Sequence, residues 1–274
     1  MTDFPTARPV TVAAIQMASE IGNKAANLAT AARLIEEANA DLAVLPELFA
    51  TEFFASEKDH RFFDYAEPVD GPTIRFMSEV AARTQTILVT PLFEYAPSGE
   101  FFNSAVLIGA DGGVIGVYRK AHIPFTKSFE KFYFAPGDDF PVFDTPIGRI
   151  GILICYDRWF PEGWGRLRDA GAEIVCVPIA SWRLDGASEA PWWDALHRMR
   201  ARENLMFVAA SNRTGQEGDW GYIGESLIVS PTGDVLARLD ETSIGGAIAT
   251  IDLDLVRQSR ARWPLLRDRR PDIY

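Results

Sequence analysis

The sequence predicts an α/β fold with mixed sheets, and three observations carry that prediction. Strand-like apolar runs alternate with helical stretches early in the chain and again late, with hairpin signals between them. Many of those runs lack polar alternation, so both faces of each strand must be covered, which two packed sheets with helices outside would achieve. No Gly/Ser-rich or Pro-rich linker divides the 274 residues, so one domain over residues 1–274 is expected.

Val10 to Met17, rich in Val, Ala and Ile, reads as the first strand. From Asn23 to Ala40, Leu28, Ala32 and Ile35 recur on one face of a helix. Asp41 to Pro46 is a short buried strand that ends at Glu47. Pro72 to Thr84 reads as a helix opened by its proline, and Thr86 to Phe93 returns to strand. Phe102 to Gly109 and Val114 to Tyr118 form a hairpin around Asp111-Gly112. Residues 120 to 140 show no period and hold Pro124, Pro136 and Gly137, as in a long functional loop with room for one helical turn. Arg149 to Ile154 is strand, Pro161 to Ala170 helix and Glu173 to Val177 strand. Trp192 to Asn204 is helix and Met206 to Ala210 strand. Ile223 to Val229 and Asp234 to Leu239 flank the turn Pro231-Thr232-Gly233, and Ala247 to Leu253 is the last strand. The tail from Arg262 to Tyr274 is charged and interrupted by proline.

Composition narrows the function. Lys and Arg number 27 against 38 Asp and Glu, a net charge of 27 − 38 = −11, and 47% of residues are hydrophobic. Such a surface repels phosphate backbones, so nucleic acid is not an expected partner. No run approaches the ~18 apolar residues of a membrane span. The start, Met1-Thr2-Asp3-Phe4-Pro5, lacks the regions of a signal peptide. Cys155 and Cys176 are the two cysteines, with no metal spacing, which points to a reducing, cytoplasmic setting. His60, His122 and His197 are not spaced as ligands, and neither a P-loop nor G-x-G-x-x-G occurs, so no metal or nucleotide cofactor is expected.

Cys155 follows the apolar run Arg149 to Ile154 and precedes a tight turn into a helix, with Pro161 and Glu162 suited to the helix start. A thiol there lies near backbone N–H groups and a partial positive charge, both of which favour thiolate. The alternative is a small core residue, as expected for Cys176 in Glu173-Ile174-Val175-Cys176-Val177. Glu47 and Lys120 also stand at strand ends. Together the three would supply base, electrophile and nucleophile without a histidine; taken singly, Glu47 or Lys120 reads as a solvated loop charge.

The segments Leu45-Pro46-Glu47-Leu48-Phe49, Tyr118-Arg119-Lys120-Ala121-His122-Ile123-Pro124 and Ile154-Cys155-Tyr156-Asp157-Arg158-Trp159-Phe160-Pro161-Glu162 resemble the three signature stretches of the nitrilase superfamily of carbon–nitrogen hydrolases. Glu130 to Asp138, Gly171 to Glu173, Ala210 to Arg213 and Asp268 to Pro271 are also similar to that family, in the same order over nearly the full length. The resemblance implies a four-layer αββα sandwich with two mixed β-sheets. It also implies a homodimer or larger assembly, in which the tail from about 262 to 274 would make oligomer contacts. By position it implies that Glu47 is the general base, Lys120 the oxyanion stabiliser, Cys155 the nucleophile and Glu130 a second carboxylate in the pocket. Around the substrate it points to the backbone N–H of Tyr156, to Arg158, and to Phe53, Phe54 and Ala180.

Cys155-Tyr156-Asp157 is closer to the amidases and carbamoyl amidohydrolases of the family than to true nitrilases, which usually carry Cys-Trp-Glu. Arg158 stands where N-carbamoyl amino acid hydrolases and β-ureidopropionases place an arginine on the substrate carboxylate, a pairing that suits a guanidinium fork. Alternatively it forms a salt bridge with Asp157 or Glu162. Trp159 departs from the D-carbamoyl enzymes, and the surrounding stretch looks more like N-carbamoylputrescine amidases. The expected substrates are therefore an N-carbamoyl amino acid or small carboxamide, with carbamoyl amines and nitriles behind them. Phe53, Phe54, Trp159, Trp182, Trp192 and Trp193 read first as core or dimer packing and otherwise as apolar pocket walls, and the loop from Trp182 to Pro191 could cover the site. Outside the family, a Cys–His hydrolase using His122 or His197, or a non-catalytic binding subunit, would share the same cysteine.

Overall fold

The computed structural model describes residues 8–125, 128–183 and 190–273. Its first half comprises β1 (Pro9–Gln16), α1 (Lys24–Ala38), β2 (Leu42–Val44), α2 (Pro72–Thr84), β3 (Ile87–Tyr95), β4 (Phe101–Ile108) and β5 (Val114–Arg119). A single turn, α3 (Glu130–Tyr133), lies in the long loop that follows. Next come β6 (Val142–Thr145), β7 (Gly148–Ile152), α4 (Pro161–Asp169), β8 (Ile174–Ile179), α5 (Ala190–Asn204) and β9 (Phe207–Asn212). The chain continues through the small hairpin β10 (Gln216–Glu217) and β11 (Trp220–Gly221), then β12 (Leu227–Val229), β13 (Val235–Arg238), β14 (Gly245–Asp252) and α6 (Asp254–Arg262).

Two six-stranded sheets result, ordered β14-β1-β2-β3-β4-β5 and β13-β12-β9-β8-β7-β6. Both are mixed: β1, β2 and β3 run parallel, as do β7, β8 and β9, and antiparallel strands extend the edges. The side chains explain why polar alternation is missing. Val10, Val12 and Ala14 of β1 share a core with Val44, Val89 and Leu107 and, from the second sheet, Ile150, Ile152 and Val208. The intervening Ala13, Ile15 and Met17 pack with Leu34 and Ile35 of α1 and Met77 and Val80 of α2. Trp164 of α4 and Trp193 of α5 join the core of the second sheet. Each large apolar side chain buried in this way contributes roughly 1.5–3 kcal/mol relative to exposure. The helix–sheet–sheet–helix layering matches the expected sandwich.

Local chemistry fixes the helix ends. The Asn23 side chain accepts from the Ala26 N–H at 3.2 Å to open α1, and Asn39 closes it in the left-handed region at φ 44°. Pro72 opens α2 and Gln85 closes it at φ 55°. The expected strand from Ile223 shrinks to Leu227–Val229, because Gly224 and Glu225 sit at φ 61° and 58° and turn the chain. A Cβ on Gly224 would lie 2.2 Å from the Glu241 carbonyl oxygen, so glycine is required there. The edge strand β6, the short hairpin of β10 and β11, and helix α6, which occupies part of the stretch before the tail, were not expected. Among the described residues, no helix is long and apolar enough to cross a membrane.

Candidate active site

Glu47, Lys120 and Cys155 follow the C-terminal ends of β2, β5 and β7. The Glu47 N–H donates to the Ile179 carbonyl at 3.3 Å, which ties it to the end of β8. The Lys120 N–H donates to the Asn103 carbonyl at 2.8 Å. These strand ends converge where open α/β folds place their sites.

All three side chains are buried, with Lys120 and Glu47 fully enclosed. Lys120 Nζ donates to Glu47 Oε1 at 2.8 Å and to Glu130 Oε2 at 2.6 Å. The loop with no sequence period thus supplies the second carboxylate from α3, and Ser128 Oγ donates to Glu130 Oε1 at 3.3 Å. Asn103 Nδ2 donates to Glu47 Oε1 at 2.7 Å. Glu47 Oε2 is buried with no hydrogen-bond partner among the described residues. A carboxylate oxygen left unpaired away from water costs stability, and it keeps a lone pair open to accept a proton.

The charges set the protonation pattern. Burial works against the Lys120 ammonium, but the carboxylates of Glu130 and Glu47 outweigh it and raise its pKa above the ordinary value. Burial raises the Glu130 carboxyl to about 7, with Lys120 opposing and Glu47 adding to the rise. Burial also pushes the Cys155 thiol well up; the Glu47 charge adds to this, and Lys120 and Arg158 oppose it. This corrects the local argument from the helix start. The resting group is a thiol, and attack requires that its proton leave during the reaction.

Cys155 occupies the left-handed region at φ 46° and begins a 3-10 turn, Cys155–Trp159. A non-glycine residue held there stores on the order of 1–3 kcal/mol of strain. Arg158 Nη1 donates to the Cys155 carbonyl at 2.8 Å and lies 3.5 Å from Sγ, while Nη2 donates to Ser181 Oγ at 3.1 Å. The guanidinium faces the rings of Trp159 and Trp193, its carbon 5.3 and 5.7 Å from their centroids. A salt bridge to Asp157 or Glu162 does not form. Asp157 instead accepts from Tyr118, His122 and Ile154.

Tyr156 lies in the 3-10 turn with its ring edge-on to Phe160. Phe53, Phe54 and Ala180 are buried in one cluster. Phe53 lies against Trp182 and Trp220, with centroids 5.3 and 6.1 Å away. Phe54 is enclosed by the rings of Phe62, Tyr65, Phe93, Tyr133 and Phe134. Trp192 is exposed. Of the expected covering loop, residues 184–189 lie outside the described residues.

Among the described residues, neither His122 nor His197 hydrogen-bonds to Cys155. His122 Nδ1 is 2.8 Å from Asp157 and its ring stacks on Phe160. His197 donates from Nδ1 to the Trp193 carbonyl, and burial, reinforced by Arg158, lowers its pKa to about 3. Cys176 is buried in the core, and burial alone raises its thiol pKa.

Sequence reasoning missed several supporting residues. Arg213 is fully buried; its Nε donates to the Glu47 carbonyl at 2.9 Å, Nη2 to the Thr51 carbonyl at 2.8 Å, and Nη1 pairs with Glu217 at 2.6 Å. It braces the turn after Glu47, where Leu48 sits at φ 51°. Asn103 and Asp157 were likewise missed. Asn103 bonds Glu47, 56 positions away, and Asp157 bonds Tyr118 and His122, 39 and 35 positions away, so periodicity carried no signal for these contacts.

The family model for carbon–nitrogen hydrolases matches residues 11–261. An N-carbamoylputrescine amidase of Arabidopsis thaliana is 36% identical over 97% of this chain and 94% of its own length. A citrullinase of Francisella tularensis is 34% identical over 97% of this chain and 96% of its own. Among solved structures, a carbon-nitrogen hydrolase from Helicobacter pylori G27 superposes with a TM-score of 0.92 at 33% identity, covering 97% of each chain. The motifs, the two-sheet sandwich and these likenesses agree: the chain belongs to the carbon–nitrogen hydrolase family of the nitrilase superfamily, hydrolases that act on carbon–nitrogen bonds other than peptide bonds.

Proposed function

We propose that the protein is a cysteine-dependent amidohydrolase that removes the terminal amino group of an N-carbamoyl amino acid or small carboxamide as ammonia. One observation carries this reading: the Lys120 ammonium bridges two buried carboxylates, and their charges act on a buried cysteine. Glu47 Oε2 takes the Cys155 proton as Sγ attacks the carbonyl carbon. The developing oxyanion is met by Lys120 and by the Tyr156 N–H at the start of the 3-10 turn. Losing one such donor typically costs about 3–4 kcal/mol. Glu47 returns the proton to the departing nitrogen, ammonia leaves, and a thioester remains. Glu47 then deprotonates a water that releases the acid. With a ureido substrate the acid is a carbamate, which breaks down to carbon dioxide and amine.

Arg158 supports a substrate that carries a carboxylate within a few bonds of the reacting carbon, because its fork stands beside Sγ. The relatives favour a second reading, a carbamoyl amine such as the N-carbamoylputrescine named for the Arabidopsis enzyme. Ammonia release across N-carbamoyl amino acids, carbamoyl amines, amides and nitriles tests both. Arg158→Gln should weaken turnover of carboxylate-bearing substrates by about tenfold or more and spare neutral ones. Equal losses on both would remove the carboxylate reading, and turnover of none of the four classes would remove the function.

Protonation gives a pH prediction. Glu130 is raised to about 7, so its neutral form grows as pH falls through 7. The neutral form no longer anchors the Lys120 charge, so kcat/KM should fall on the acid side with a limb near 7. Lys120 is raised above its ordinary 10.5 and adds no alkaline limb below that value. A profile in which activity rises steadily below pH 6 would contradict the assignment.

The assembly is expected to be a homodimer or larger, with the tail from about 262 to 274 taking part. Trp263, Leu265 and Ile273 are exposed there, 43%, 46% and 68%, and Trp192 of α5 is 66% exposed. Light scattering should give at least twice the mass of one chain; a monomer at micromolar concentration would exclude this.

A further inference from the structure

We propose that Asp157 is the positioning residue that holds Lys120 against Cys155 by tying the end of β5 to the end of β7. The inference rests on the roles given above to those two side chains.

The two segments belong to different sheets. Lys120 follows β5, the edge strand of the first sheet, and its backbone bonds run to Asn103 and Gly137. Cys155 follows β7 in the second sheet, where the Leu153 N–H bonds to Cys176. Among the described residues, no backbone hydrogen bond joins residues 118–122 to residues 150–160. The carboxylate of Asp157 does. Oδ2 accepts from the Tyr118 hydroxyl at 2.6 Å and from the Ile154 N–H at 3.0 Å. Oδ1 accepts from the His122 N–H at 2.9 Å and lies 2.8 Å from His122 Nδ1.

The positions of those partners matter. Tyr118 and His122 stand two residues before and two after Lys120, and Ile154 immediately precedes Cys155. One carboxylate therefore grips both sides of the lysine and the entry to the nucleophile turn. Asp157 and Tyr118 are buried, so water does not replace these bonds. The His122 ring, stacked on Phe160 at 3.8 Å, reinforces the same seam. Asparagine cannot reproduce the arrangement. Its NH₂ would face N–H or O–H donors where the carboxylate presents an acceptor. Lys120 would then be held less firmly, and a Cys155 thiolate would lose part of the charge of one of the two cations that favour it.

The test reads Cys155 directly and needs no substrate, so it is independent of which amide the enzyme cleaves. In a Cys176→Ser background, the rate of iodoacetamide alkylation is followed against pH. Among the described residues, the charges that act on Sγ are those of Glu47, Lys120, Arg158 and Glu130. Asp157→Asn should move the profile to higher pH by about one unit, making alkylation about tenfold slower below the midpoint. Lys120→Met should shift it at least as far. The double variant should match Lys120→Met alone, because Asp157 acts through the lysine. Should Asp157→Asn fail to fold, Tyr118→Phe removes one of the four bonds and should shift the profile in the same direction by a smaller amount. A folded Asp157→Asn protein with the parent profile, even at a lower melting temperature, would reduce Asp157 to a structural role and overturn the proposal. Additive shifts in the double variant would overturn it as well. Absence of amidase activity in the parent would instead count against the proposed function and leave this result standing.

Discussion

Cys155→Ala should leave the fold intact and reduce turnover to background, a loss of at least about 10⁴-fold. The size follows from covalent catalysis, in which removing the nucleophile costs nearly as much as removing the whole constellation. The residual rate would come from binding and oxyanion stabilisation alone. The fold should tolerate the change because one sulfur atom is removed and the Arg158 bond goes to the backbone carbonyl, which alanine retains. Alanine also holds the left-handed φ of 46° no worse than cysteine does. Thermal unfolding should thus differ by only a few degrees, while ammonia release disappears. A folded variant that kept even a tenth of parent turnover would place the chemistry on another residue, and the Glu47, Lys120 and Cys155 scheme would fail with it.

Much of this architecture is legible in the sequence because burial on both faces leaves a plain mark. Val10 to Met17 is apolar at odd and even positions alike, since one set meets the second sheet and the other meets α1 and α2. Pro72 marks a helix start by local chemistry and the structure keeps it, whereas the first helix, expected to reach Ala40, ends at Ala38 where Asn39 turns left-handed. Weak elements escaped for equally physical reasons. β6 has four residues at a sheet edge, all partly or wholly exposed. α6 buries Val256, but its sequence is dominated by charged and polar residues that give no stripe. The strand expected from Ile223 failed at two left-handed residues, one of them a glutamate that carries no turn signal.

The site divides in a similar way. Glu47, Lys120 and Cys155 could be found because each stands at a strand end in a motif of its own. Their electrostatics could not. The local argument at Cys155 counted a helix start, whereas the structure adds burial and the charge of Glu47, from a residue more than 100 positions away, and these reverse the conclusion. Asn103 is likewise defined by Glu47, and Asp157 by Tyr118 and His122, all distant in sequence. Buried polar groups must be satisfied, but sequence does not say by whom.

Glu47→Gln should abolish turnover by about 10³-fold or more without destabilising the protein, and this opposition is what makes the variant informative. The glutamine carbonyl can take the place of Oε1 and accept from Lys120 and Asn103, now at 2.8 and 2.7 Å. Its amide nitrogen then occupies the position of Oε2, which has no partner to lose among the described residues. What vanishes is the ability to carry a proton, a function worth roughly 10²–10⁴ in rate for a general base and here used in both half-reactions. The charge balance changes favourably. Two carboxylates and one ammonium become one of each, and the Glu47 contribution that raises the Glu130 pKa is removed. The Glu130 carboxyl should therefore titrate lower, and the Lys120–Glu130 pair should hold over a wider pH range. Thermal unfolding is expected at or above the parent temperature, alongside a kcat/KM near background. Glu47→Asp separates charge from reach: it restores a carboxylate but withdraws it by one methylene, so it should remain strongly impaired. If Glu47→Gln turned over within tenfold of the parent, Glu47 would be only an anchor for Lys120, and the proton would have to pass through Glu130.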